Sequence, residues 1–252
     1  AFPVVYSDLL SQHYLIALAA VLALLARGLG PELREQREDV EWRRRCDQLF
    51  VGGSIGAPLL LGMLVGSLVF GAGQFSLPSL LTGVAVVTLS VVTGGSFLAA
   101  KTEGSLREEI RRYTDIGTVA YLASAVALLA VVFAFDSAGA RESLLSPLPI
   151  VLVLATVVLG VGGVLLGRRG RDRARFAASA VLAVGLVTLA AALMYPTVYP
   201  PSGIMLKEAI VSPLALNLVT VFGLPVLVVV LWYFKFLYGV FSGPIEGEGY
   251  GS

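Results

Sequence analysis

Seven separate apolar runs, each on the order of 20 residues long, recur along the whole chain, and nothing else constrains its fold as strongly. A helix of that length crosses about 30 Å of hydrocarbon with every backbone polar group satisfied internally, which lipid demands. The runs extend roughly over Leu9 to Ala26, Gln48 to Phe70, Leu77 to Ala100, Asp115 to Phe135, Pro147 to Gly167, Arg175 to Tyr195 and Pro213 to Tyr238. They are continuously apolar and lack the alternation of a transmembrane barrel strand. With 57% hydrophobic residues, 14% charged residues and a mean hydropathy of +0.86, little is left to build a water-soluble domain. The expected fold is an all-α polytopic transmembrane helix bundle of about seven spans, a single transmembrane domain over residues 1–252.

Charge placement predicts the orientation. Sixteen of the 18 basic residues fall in alternate loops or beside them: Arg27 to Arg45, Lys101 to Arg112, Arg168 to Arg175, and Lys235. Arg141 and Lys207 alone lie in the opposite loops. Basic residues near span ends stay on the cytoplasmic side, so the N-terminus is expected outside and the C-terminus in the cytoplasm. No cleavable signal is evident, since a positive n-region is missing before the first apolar run. The chain opens at Ala1 without an initiator Met and enters that run almost at once, as a piece of a longer sequence would. Pro200, Pro201 and Ser202 mark an outer turn, and the glycine-rich tail from Gly243 is expected to fray.

The inventory of metal and haem ligands is poor. One histidine (His13), one cysteine (Cys46) and three methionines (Met63, Met194, Met205) cannot form a bis-histidine haem site within the chain. His13 reads as an interfacial polar side chain near the outer end of the first span, with ligation or proton relay as the alternative. Cys46, in a basic inner loop, reads as incidental. No phosphate-binding loop, nucleotide fingerprint, zinc motif or nucleophile elbow is present. No catalytic or metal-binding residue and no nucleic-acid partner are therefore expected. Ionisable residues gather at span ends (Asp8, Arg27, Asp47, Lys101, Asp115, Asp136, Lys235), where they can anchor the helices, and mid-span relays of a transporter are lacking. Gly52, Gly53, Gly56, Gly62 and Gly66 line the second span in two G-x-x-x-G spacings that favour close helix contact or a subunit interface. Trp42, Tyr195, Trp232, Tyr233 and Tyr238 read as belt residues.

Six segments, in order, carry a resemblance. AFPVVY at 1–6 is similar to the end of a G-G-x-x-F-A-A-F-P-x-x-Y segment, RGLGPELR at 27–34 to R-x-x-x-F-[DE]-x-R, and WRRRCD at 42–47 to W-R-x-x-W-D. GSIGAPLLLGMLVGSLVFG at 53–71 resembles G-S-x-x-P-x-x-x-G-x-x-x-G-N-x-x-x-G, with one more residue between Ser54 and Pro58 and Ser67 at the asparagine. GGSFLAAKTEGSLREEIRR at 94–112 resembles H-G-A-x-x-L-x-x-K-T-x-G-E-L-x-x-R, and MYPTVYPPS followed by SPLALNLVTVFGLPVLVVVLWYFKFLYGVFSG resembles a shared closing segment. These belong to the second subunit of cytochrome bd-type quinol oxidases, and the resemblance covers nearly the whole chain. Cys46 stands where a tryptophan is usual.

The resemblance implies a nine-helix complete protein whose first two helices precede this match. It implies a haem-free subunit, with no cofactor of its own, beside a larger haem-bearing subunit I that carries haem b and haem d. The pair would support quinol oxidation coupled to reduction of oxygen to water in a respiratory chain, in the cell membrane. It also leaves room for a structural quinone in a lipid-facing groove, with no cofactor-binding residue identified. The residues carried over are Arg27, Glu32 and Arg34 at an inner helix end, Asp47 opening the next span, and Lys101 with Glu103 at the following inner boundary. Their implied role is support of assembly and of the partner, with helix-end anchoring as the plainer reading. A small-solute transporter or channel subunit is the rival class, and an assembly factor a third.

Overall fold

The computed structural model describes residues 3–135, 140–199, 203–209 and 212–240. Its elements in chain order are α1 (Pro3–Arg34), α2 (Val40–Val69), α3 (Leu77–Lys101), α4 (Gly104–Phe135), α5 (Ala140–Leu144), α6 (Pro147–Arg168), α7 (Asp172–Met194), β1 (Thr197–Tyr199), β2 (Ile204–Met205), α8 (Leu206–Ala209) and α9 (Pro213–Val240). Seven of these helices are long and apolar enough to cross a membrane, and the fold is an all-α polytopic bundle. The outer turn at Pro200 to Ser202, Asp136 and the tail from Gly243 lie outside the described residues.

Several helices continue beyond the apolar runs. α1 extends through Arg34 and α2 begins at Val40, so most of the basic segment between the first two runs is helical. Backbone hydrogen bonding does not stop at the hydrocarbon boundary, and the charged turns simply enter water. Asp39 caps α2 by accepting from the Glu41 N–H at 3.1 Å. The Trp42 indole N–H donates to the Leu33 carbonyl at 2.7 Å, and the Arg37 guanidinium sits 4.8 Å from the Trp42 ring centre. Trp42 thereby staples the α1–α2 turn, a role its expected place in an aromatic belt does not describe.

Helices adjacent in sequence pack as antiparallel pairs: α1 on α2, α2 on α3, α3 on α4, and α6 on α7. α7 then returns against α3, which makes α3 the centre of the bundle. Missing side chains set these contacts. A Cβ on Gly62 would lie 2.8 Å from the Cα of Gly83, and one on Gly83 would lie 2.7 Å from the Leu59 carbonyl oxygen, so α2 and α3 touch backbone to backbone. Gly53 meets the α1 backbone at Arg27 in the same way, and Gly95 on α3 faces Thr114 on α4. Gly52 meets nothing within 4 Å. Of the two glycine spacings in α2, only Gly62 and Gly66 both face one neighbour; Gly53 rather than Gly52 makes the contact with α1.

Five hydroxyls buried between these helices return to their own backbone. Ser67 donates to Leu64, Thr82 to Pro78, Thr114 to Ile110, Thr118 to Thr114 and Ser179 to Phe176, at 2.7 to 2.8 Å. That satisfies each hydroxyl where water is absent and adds no directional tie between helices.

At the end opposite the basic loops, β1 and β2 pair antiparallel, with Thr197 opposite Met205. Buried Ala209 packs on Leu9, Leu68, Val198 and Ile204 there, joining α1, α2 and the hairpin. Two side chains differ from expectation. His13 is 4% exposed and sits at a break in α1, with φ −121° and ψ 19°; the Gln12 carbonyl beside the break accepts from the Gln74 side chain. An irregular turn in a membrane helix needs its polar groups buried in protein, and His13 is packed inside the bundle where an exposed interfacial side chain was expected. Cys46 is not in a loop: it is a buried residue of α2, close to Gly30 of α1. α9 contrasts with the rest, as none of its described residues is buried.

Candidate functional site

Two of the six residues singled out from sequence, Arg34 and Asp47, form an ion pair. Nε of Arg34, the last residue of α1, lies 2.9 Å from Oδ1 of Asp47 in α2. Both side chains are half exposed, so this pair contributes about 0.2–1 kcal/mol and ties the α1–α2 turn more than it stabilises the bundle. Glu32 is exposed on α1, and Glu103 is exposed in the connection between α3 and α4. Lys101 ends α3, half-buried. Arg27 sits inside α1 where Gly53 allows α2 to approach, and it is among the residues that line a cavity.

A stronger electrostatic constellation was not anticipated. Arg111 on α4 donates from Nε to Asp172 on α7 at 2.9 Å, with a second contact from Nη2 at 2.5 Å, a bidentate pair. One turn deeper, Nη2 of Arg175 on α7 lies 2.7 Å from Oδ1 of Asp115 on α4. That contact is an ion pair with poor hydrogen-bond angles, since neither atom completes a hydrogen bond among the described residues. Arg175 is 2% exposed and Asp172 6%. The charges alternate along each helix and oppose across the gap, so a one-turn slip of either helix would oppose like charges. The long guanidinium side chains bridge two helices whose backbones hardly touch.

α6 completes the arrangement. The space over Gly167 is filled by the Arg175 guanidinium: a Cβ there would lie 2.5 Å from Nη1. The sequence signal for this cluster was present as opposite charges at helical spacing, Arg111 with Asp115 and Asp172 with Arg175. Read alone, each pair suggests a partner within its own helix. Only the tertiary structure crosses them.

Among the described residues, two cavities within the bundle stand out. The larger, about 610 Å³, is a groove along α2, α3 and α7, apolar from Phe70 and Leu193 at one end to Gly94 and Arg27 at the other. The smaller, about 190 Å³, is more enclosed and lies among α3, α4, α6 and α7, walled by Tyr121, Leu122, Thr156 and Leu186. Among the described residues no cluster of three His, Cys, Asp or Glu side chains could hold a metal ion. The structure thus offers ion pairs, helix-end charges and apolar space.

The family model for cytochrome bd terminal oxidase subunit II matches residues 1–241. The chain belongs to that family. It is 25% identical to the probable cytochrome oxidase subunit 2 of Haemophilus influenzae, over 98% of this chain and 78% of that protein. Against the cytochrome bd ubiquinol oxidase subunit 2 of Bacillus subtilis it is 27% identical, over 64% of this chain and 52% of the relative. The cytochrome bd-I ubiquinol oxidase subunit 2 of Escherichia coli is 24% identical over 98% of this chain and 78% of its own length. A bd oxidase subunit II is part of an oxidoreductase complex, and the transporter alternative finds no support. The family implies a haem-containing complex and a companion subunit, and seven apolar helices make the chain a multi-pass membrane protein.

Proposed function

We propose that this chain is the haem-free partner of a haem-bearing subunit I, in a complex that oxidises quinol and reduces oxygen to water in a bacterial cell membrane. One observation carries the division of labour: an oxidase needs several axial iron ligands, and this chain has one histidine, buried at a helix break. Haem b and haem d then belong to subunit I, and quinol is the electron donor that the relatives' names suggest. The chain supplies scaffold and apolar volume. Oxygen is apolar and partitions into cavities like the one beside Tyr121 and Leu186, which would make the bundle a route from lipid. A structural quinone, as an amphiphile, would need a lipid-facing groove of the same character.

Arg27, Glu32, Arg34, Asp47, Lys101 and Glu103 are proposed to support assembly with that partner from the cytoplasmic end. The orientation follows from the basic loops, with the N-terminal end of α1 outside and the C-terminus inside. The test is purification of the parent protein from its native membrane in mild detergent, with a reduced-minus-oxidised spectrum and quinol-dependent oxygen uptake. Co-purification of a subunit with b- and d-type bands is expected; a colourless preparation without a partner rejects the reading. Arg34→Ala or Asp47→Ala should lower haem content per complex, and unchanged spectra and activity would remove those residues from the interface.

A further inference from the structure

We infer that the groove along α2, α3 and α7 is a phospholipid site, in which an inner-leaflet anionic lipid lays one acyl chain against the bundle and sets its phosphate on Arg27. The helix packing puts Arg27 at the right depth. Gly62 of α2 faces Gly83 of α3, which fixes a common level in the middle of the bundle. From there to Gly53 on α2 is about 14 Å, and from Gly83 to Thr93 on α3 about 15 Å, at ~1.5 Å per residue. Gly53 contacts the backbone of Arg27, so Arg27 and Thr93 share one level near the basic end. The groove includes both.

Arg27 is also the first residue beyond the apolar run of α1, where hydrocarbon gives way to headgroups. Its approach to the groove depends on Gly53, since any side chain there would push α1 away. Among the described residues Arg27 has no ion-pair partner, unlike Arg34, Arg45, Arg111 and Arg175. A permanent cation at the mouth of an apolar channel is complemented by an anion that carries an apolar chain, and a guanidinium fits phosphate through paired hydrogen bonds. From Gly94 to Thr82 the groove runs along α3 for about 18 Å, a little more than one leaflet of a ~30 Å hydrocarbon core. A chain anchored at Arg27 therefore lies along the lining residues Val86, Leu186 and Ala190 toward Phe70. A quinone head is neutral and leaves the guanidinium uncompensated, which argues for the phospholipid.

The site is independent of how the haems are divided, so its test has a readout apart from oxidase activity. The intact complex, stripped in detergent, is titrated with phosphatidylglycerol and, separately, with uncharged-headgroup diacylglycerol, and bound lipid is counted by native mass spectrometry. Wild-type complex should retain one phosphatidylglycerol in preference to diacylglycerol. Arg27→Ala should weaken that retention about tenfold, the loss of one charge-assisted contact, and Arg27→Lys should restore most of it. Should Arg27→Ala fail to assemble, Val187→Trp serves with Arg27 intact. It fills the groove from its lipid side and should also expel the lipid. Retention unchanged in either variant, equal retention of the two lipids, or recovery of a quinone from the groove would each overturn the proposal.

Discussion

A methyl group at position 167 would meet the Arg175 guanidinium at 2.5 Å, so Gly167→Ala should displace Arg175 from Asp115. Overpacking alone costs about 1–3 kcal/mol, and loss of one partner from a buried ion pair about 3–5 kcal/mol, a figure reduced here because the Asp115 side chain is 33% exposed. A clear fall in the thermal midpoint of the purified protein in detergent is expected. Gly163→Ala is the control, because its Cβ would lie 4.0 Å from Arg175, an ordinary contact; equal melting of the two variants would refute the role given to Gly167. Charge removal at the same site has a predicted sign. Asp115→Leu leaves Arg175, 2% exposed, without its counter-ion, whereas Asp115→Leu with Arg175→Met removes both charges. The double variant should melt higher than Asp115→Leu, the signature of a desolvated pair whose partners cost more apart than together. The Arg34 and Asp47 pair is half exposed, so removing it should barely change melting, whatever it does to partner binding.

Helix contacts depend on which glycine faces which neighbour. Gly62 and Gly83 leave no room for a side chain, so Gly62→Leu should separate α2 from α3 and open the groove between α2, α3 and α7. Gly52, with nothing within 4 Å, should accept alanine without loss, and even gain from alanine's better helix propensity, about 1 kcal/mol. Melting of both variants in detergent checks this, and a destabilised Gly52→Ala would show that another surface covers that face. The charge ladder between α4 and α7 acts at the same scale. Its alternation admits one register, while the hydroxyls of Thr114, Thr118 and Ser179 bond within their own helices and leave register to packing and charge. α9 has neither device. Its apolar residues surround the helix and none of those described is buried, so its position is not set by the polar contacts that order α1 to α7.

At the scale of the molecule, charge polarity predicts an accessibility pattern. In a Cys46→Ala background, Lys207→Cys should react with a membrane-impermeant maleimide in intact cells, and Arg169→Cys only after the membrane is opened. The reverse pattern would invert the proposed orientation, and with it the proposed cytoplasmic placement of the Arg34 and Asp47 pair and of the Arg111 and Arg175 cluster. Both positions are exposed in the structure, so failure to react would reflect sidedness or cover by another subunit.

The number of spans, their helical nature and the poverty of haem ligands were legible in the sequence, because lipid solvation acts on each segment separately and leaves a local, additive record. The family motifs at RGLGPELR, WRRRCD and the segment from Gly94 to Arg112 were legible as ordered strings, and they point to the Arg34 and Asp47 turn. Four features depended on tertiary structure: the crossing of Arg111 to Asp172 and Arg175 to Asp115, the choice of Gly53 over Gly52, the burial of His13 and Cys46, and the groove that reaches Arg27. Each depends on the rotation and depth of one helix against another. Hydropathy averages over the turns of a helix and carries no information about which face meets which neighbour, and a charge at a span end looks the same whether its partner is water, its own helix or a helix sixty residues away.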